Sequence, residues 1–139
     1  MQRVALEREV DADPETLRAA MTDVAPFMRA AGFDEVTVEG DRIEITNHVG
    51  LLTISLDLRR IEVPGTVLAY EQVDGIFESM ETRYELDGEA DGPCTVTATT
   101  TFALDVAFVG PLLDGTIIKR QRKRELSAQF DYLETLGDE

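Results

Sequence analysis

The sequence predicts an α+β fold, and three observations carry that expectation. Seven segments alternate apolar and polar residues with period two, two short helical segments follow the first strand, and the longest helical segment closes the chain. With 139 residues, 43% of them hydrophobic, the chain suits one domain over 1–139 built on one core.

In "VALEREV", Val4, Leu6, Arg8 and Val10 share one face, so the chain opens with a strand. Asp13-Pro14-Glu15 then reads as a helix start, with Asp13 as the cap and Pro14 in the first turn. Leu17, Ala20 and Met21 follow at helical spacing, and Pro26 suits the opening of a second short helix that continues through Phe27 and Ala30 to Gly32. From Phe33 the period changes to two. Val36 and Val38 make one strand, Gly40-Asp41 a turn, and Ile43 and Ile45 a second strand reaching toward Val49. After Gly50 the series Leu52, Ile54, Leu56 and Leu58 forms a half-buried strand that ends before Pro64-Gly65. "TVLAYEQV" and "IFESMETRYEL" are the next two strands, divided near Asp74-Gly75. "CTVTATTTFAL" is the seventh: Cys94, Val96, Ala98, Thr100, Phe102 and Leu104 face one way and four threonines the other. Beyond Gly110-Pro111, residues 112 to 136 form the longest predicted helix, about 36 Å at ~1.5 Å per residue. All five prolines fall at these boundaries, and no repeat or low-complexity linker interrupts them.

The charge balance is 13 Lys+Arg against 28 Asp+Glu, a formal net charge of -15, which makes nucleic acid a poor partner. Five of the basic residues, Lys119, Arg120, Arg122, Lys123 and Arg124, cluster in the last helix. They spread around the helix without interleaved aromatics, which argues against a clean nucleic-acid or membrane face. Cys94 is the sole cysteine, so no intrachain disulfide forms, and no apolar run is long enough for a membrane span. The start "MQRVALEREV" does not read as a signal peptide, and cytoplasmic residence is the expectation. One histidine and one cysteine leave no zinc cluster and no spaced catalytic triad, and neither a P-loop nor a dinucleotide fingerprint is present. No metal and no cofactor is expected.

The approach "VDADPETLRAAMTD", the Gly/Pro-punctuated strands and the terminal "RQRKRELSAQFDYLETL" together resemble the START-like helix-grip superfamily, also called SRPBCC or polyketide cyclase/dehydrase-like. The likeness covers nearly the whole chain and departs from common members at Thr16-Leu17, where many have an aromatic after the helix-opening proline. It implies a helix-grip fold in which a curved seven-stranded antiparallel sheet wraps a long C-terminal helix. A cavity between sheet and helix, accepting an apolar or amphipathic small molecule, is the functional implication. The scarcity of lysine, two against eleven arginines, together with the excess of carboxylates, resembles the proteins of extreme halophiles.

Within such a cavity several residues become candidates. Glu78 shares parity with Ile76, Met80, Thr82, Tyr84 and Leu86; a buried carboxylate there would anchor a ligand or exchange a proton, whereas at a strand end or bulge it would stay in water. Tyr70 and Tyr84 each offer a ring for a wall and a hydroxyl to orient a ligand oxygen, and both also suit an ordinary core. Met80 and Phe102 are wall candidates. On the last helix, Leu126, Phe130 and Leu133 form an apolar stripe that extends backward to Arg122 and Lys119. Arg122 is chemically suited to clamp a ligand carboxylate with Lys119 adding charge; the alternative is that both stems cover apolar surface and release their charges to water. Asn47 shares the inward parity of Ile45 and offers a polar contact, although a turn before Gly50 would also account for it; His48 faces outward.

The expected function is binding of a small hydrophobic or amphipathic molecule, with Asn47, Tyr70, Glu78, Met80, Tyr84, Phe102, Lys119 and Arg122 as ligand contacts and no catalytic residue assigned. The alternative is a polyketide cyclase or dehydratase using the same cavity, with Glu78 exchanging the proton. A third reading makes the chain a stress or assembly accessory whose partner binds the rim or sheet edge, and either a monomer or a homodimer suits the sequence. Closely spaced carboxylates repel one another, and salt shortens that repulsion from a range of roughly 10 Å at 0.1 M to much less at molar concentration. The unfolding midpoint is therefore expected to rise as KCl is increased to molar levels in thermal denaturation, and a midpoint independent of KCl would overturn this.

Overall fold

The computed structural model describes residues 1–111 and 113–137. The elements run β1 (Gln2–Val10), α1 (Pro14–Thr22), α2 (Val24–Arg29), β2 (Glu35–Glu39), β3 (Arg42–Val49), β4 (Leu52–Ile61), β5 (Leu68–Asp74), β6 (Phe77–Gly88), β7 (Cys94–Leu104) and α3 (Gly115–Gly137). The seven strands form one sheet in the order β1-β7-β6-β5-β4-β3-β2, every neighbour antiparallel. This is the α+β architecture that the order of elements predicts and the helix-grip fold that the resemblance implies.

Local chemistry explains the boundaries. The Asp13 carboxylate accepts from the Thr16 amide at 3.1 Å and from its hydroxyl at 2.6 Å, and Pro14 occupies the first turn. Those two bonds, the hydroxyl's first, lower the Asp13 pKa below its ordinary value. The second helix opens at Val24, two residues before the position that Pro26 suggested. Pro26 is its third residue, where a missing amide hydrogen forfeits no helical bond. The β2–β3 and β3–β4 hairpins turn on two-residue loops that begin with Gly40 (φ 58°) and Gly50 (φ 62°), the backbone conformation that glycine adopts without a Cβ penalty. The last helix begins at Gly115; its expected start at residue 112 lies outside the described residues.

Close approaches fix α3 against the sheet. A Cβ on Gly115 would lie 3.1 Å from the Gln2 side chain, and one on Gly137 would lie 2.0 Å from the Asp11 carbonyl oxygen. The helix therefore runs alongside β1 from its start to just past its end. Arg8, on the inward face of β1, lays its guanidinium 5.4 Å from the centre of the Phe130 ring and reaches out to Asp131 at 2.6 Å. The C-terminal half of α3 buries Leu126, Phe130 and Leu133 in a core shared with Leu17, Met21, Phe27 and the inward face of the strands. This tight packing leaves its N-terminal half as the part of the helix that meets a cavity.

Replacing Phe130 with Ala removes a fully buried ring from the helix–sheet contact and should cost about 3–5 kcal/mol of stability in urea unfolding. A cost below about 1 kcal/mol would mean that this stripe does not hold the helix.

Candidate functional site

A cavity with an open volume of about 60 Å³ lies between the sheet and the first half of α3. Ile54 and Leu58 of β4, Phe77 and Met80 of β6, Phe102 of β7 and Ile118 of α3 make apolar walls. These strands present alternate residues inward, so the wall is a direct product of the period-two pattern. The volume exceeds the roughly 10–15 Å³ that one water needs and falls short of the roughly 300–1,000 Å³ typical of pockets for drug-sized ligands. A ligand larger than a fragment must therefore displace wall side chains.

One side of the cavity is polar, and Arg122 organises it. Its Nε donates to Thr100 Oγ1 at 3.0 Å, Nη1 to Glu125 Oε1 at 3.0 Å, and Nη2 to the Tyr70 hydroxyl. Thr82 Oγ1 at 3.3 Å and the Tyr84 hydroxyl at 3.4 Å complete the surroundings of Nη2. The other Glu125 oxygen accepts from Asn47 Nδ2 at 2.8 Å and from Gln121 Nε2 at 3.2 Å. Behind this layer the Tyr84 hydroxyl donates to Gln129 Oε1 at 2.7 Å, and Gln129 Nε2 donates to the Phe27 carbonyl at 3.1 Å. Arg122 and Glu125 are each 7% exposed, and among the described residues no side-chain nitrogen or oxygen that is wholly shut off from solvent lacks a partner. That complete satisfaction is what makes a buried charged pair tolerable.

The protonation states follow from these contacts. Burial opposes the Arg122 charge, but Tyr70, Tyr84 and Glu125 outweigh it, and the guanidinium is held above its ordinary range. Burial chiefly, with a contribution from Tyr70, pushes the Tyr84 phenol well above its usual value, so it stays a neutral donor.

The structure brings five of the eight predicted contacts to the cavity: Asn47, Tyr70, Met80, Phe102 and Arg122. Tyr84 is fully buried one layer behind, bonded to Gln129. Glu78 does not point inward. A register shift between Phe77 and Ser79 against β7 inserts one residue there; Phe77 turns to the cavity, its ring centre 5.3 Å from that of Phe102, and Glu78 is exposed. Lys119 also lies off the cavity wall, because the buried stripe of α3 passes through Ile118, Arg122 and Glu125. Arg122 itself is committed to protein partners, which corrects the expectation of a free clamp for a carboxylate. Thr100, Gln121 and Glu125 were not anticipated. The spacing of residues 118, 122, 125 and 129 on one helical face was the available signal, but polar residues at those positions read as surface.

His48 faces outward, as alternation requires: its Nδ1 pairs with Asp34 Oδ2 at 2.6 Å and its amide donates to the same oxygen at 2.8 Å. Those bonds, the ring's first, lower the Asp34 pKa. Among the described residues no group of three or more His, Cys, Asp or Glu side chains is placed to hold a metal ion, and no helix is long and apolar enough to cross a membrane.

The sequence matches the model of the family "Polyketide cyclase / dehydrase and lipid transport" over residues 1–137. The chain belongs to this family. No curated protein matches the sequence. Among solved structures, the Zhui aromatase/cyclase of a Streptomyces species superposes with a TM-score of 0.79 at 14% identity, covering 99% of this chain and 93% of the other. A START superfamily protein of Mycobacterium smegmatis gives a TM-score of 0.75 at 12% identity over 98% and 97% of the two chains. A protein of Thermus thermophilus gives 0.73 at 18% identity over 98% and 97%. At these identities the similarity is one of fold, the helix-grip arrangement of sheet and long helix described above.

The buried pair generates a stability prediction. Arg122→Met alone leaves Glu125 charged and half-partnered in the interior and should cost about 3–5 kcal/mol. Adding Glu125→Leu should recover a large part of that loss in the same urea titration. A double-variant cost equal to the sum of the Arg122→Met and Glu125→Leu costs would show that the two side chains are energetically independent.

Proposed function

We propose that the chain binds a small hydrophobic or amphipathic molecule in the cavity between the sheet and α3. The carrying observation is the division of that cavity into apolar walls and one polar side built from Arg122, Glu125, Asn47 and Gln121. Such a division suits a ligand with an apolar body and one polar end. The family description, with its reference to lipid transport, supports the same class of ligand.

The exposed apolar residues support a mouth at the same end of the sheet. Leu51 stands in the β3–β4 turn, Val73 near the end of β5, and Val106, Phe108 and Val109 in the connection from β7 to α3. The antiparallel order brings all three segments to the end where the first half of α3 begins, and a ligand leaving water meets apolar surface there first.

Binding is favoured over a cyclase or dehydratase reaction by the state of the carboxylates. Glu78, the candidate proton carrier, is outside the cavity, and both oxygens of Glu125 already accept hydrogen bonds from protein donors. The Glu125 carboxylate is thereby held against Arg122, Asn47 and Gln121 and is not presented to a substrate proton.

Native mass spectrometry of the protein, titrated with lipid, terpenoid and aromatic-polyketide pools, should show a retained small molecule. Met80→Trp, which fills the cavity from its wall, should abolish that retention while leaving the fold intact by circular dichroism. Absence of any retained molecule, or equal retention by the filled variant, would overturn the proposal.

A further inference from the structure

The polar side of the cavity has a definite hydrogen-bonding sense. Glu125 is the acceptor for Arg122, Asn47 and Gln121, and an ionised carboxylate can only accept. Both amides must therefore turn their NH2 groups toward it. Each carbonyl oxygen then points away from the carboxylate, and among the described residues neither Asn47 Oδ1 nor Gln121 Oε1 has a hydrogen-bonding protein partner. Both residues line the cavity, so what this side offers a ligand is a pair of amide acceptors.

The charge is settled in the same way. Among the described residues Arg122 is the one cation lining the cavity, and each of its three nitrogens already donates to Thr100, Glu125 or the hydroxyls of Tyr70, Thr82 and Tyr84. Its charge is matched by the Glu125 carboxylate 3.0 Å away, which itself lines the cavity. A ligand carboxylate would find no free bidentate donor, and it would be desolvated next to a carboxylate of like charge.

Resting on the ligand-binding reading above, we infer that the cavity selects a neutral, hydroxyl-bearing apolar molecule, its hydroxyl proton donated to the amide oxygen of either Asn47 or Gln121 and the Arg122–Glu125 pair excluding carboxylates. A hydroxyl donates its one proton to an amide oxygen that a ligand without a donor would leave unpaired on leaving water. A site built in this way discriminates strongly, because the penalty falls on the complex with the wrong ligand.

The test uses three bicyclic probes of similar shape at neutral pH: naphthol, its methyl ether methoxynaphthalene, and naphthoate, all substituted at the same ring position. Isothermal titration of the intact chain should give naphthol an affinity higher than either of the others by about tenfold or more. In Glu125→Gln, where the Arg122 charge loses its counterion, the naphthoate-to-naphthol affinity ratio should rise by about tenfold. Naphthoate binding the unmodified protein as tightly as naphthol would overturn the charge selection, and equal affinity for the ether would overturn the hydroxyl requirement; in either case the binding reading would stand. Failure of all three probes would overturn the inference, and the binding reading falls with it only if the pool experiment also finds no retained molecule. The probe series on the unmodified protein decides the matter even if the variant does not fold.

Discussion

The Arg122–Glu125 pair is the interaction around which the cavity is arranged. Two opposite charges in an interior are tolerable only when every remaining donor and acceptor is matched, and the requirement spreads outward from the pair. Thr100 and Thr82 on neighbouring strands, Tyr70 on β5, Asn47 on β3 and Gln121 on the helix each supply one of the matching groups. Four strands and the helix are thereby tied to one point, and the helix's rotation about its own axis is set by it. Apolar packing along Leu126, Phe130 and Leu133 brings α3 to the sheet, but an oily stripe alone would tolerate small rotations.

The same arrangement separates the two halves of the helix. Toward its C-terminal end, α1 and α2 and the inner face of the strands fill the space against α3, and the core is closed. Toward its N-terminal end the strands face the helix with nothing between them but side chains, and the cavity is what their lengths do not fill. Gly115 and Gly137 hold the helix close to β1 at both ends, so this gap is fixed by backbone contacts. A register shift in β6 then decides what faces the gap, substituting the Phe77 ring for a carboxylate.

Site residues differed in how legible they were, and the difference has a physical cause. Asn47 and Phe102 lie on strands whose alternation runs unbroken past them, while Met80 follows the irregular stretch of β6 and shares the face of Thr82 and Tyr84. The shift on β5 falls at Val73, beyond Tyr70, so the face of Tyr70 is unaffected. Glu78 sits at the irregular stretch of β6, where counting by two fails. On the helix, reading backward from the apolar stripe finds Arg122 but selects Lys119 over Ile118, since apolar periodicity fixes a face only to within about one residue. Glu125 and Gln129 read as surface residues because each is polar, and what buries them is a partner distant in sequence: Asn47 for one, Tyr84 and the Phe27 carbonyl for the other.

By itself, the sequence determined the order of the elements, their boundaries to within a few residues, and the apolar face wherever the alternation is regular. Those properties arise from local backbone geometry: side-chain alternation, helical repeat, proline's missing donor and glycine's open conformations. Only the tertiary structure decided which charges are buried, which carboxylate reaches the cavity and which hydrogen-bonding groups remain free there. Burial of a charge depends on the sum of its partners, and here those partners come from residues 47, 70, 82, 84, 100, 121, 122 and 125, which only the register of the sheet and the seating of the helix bring together.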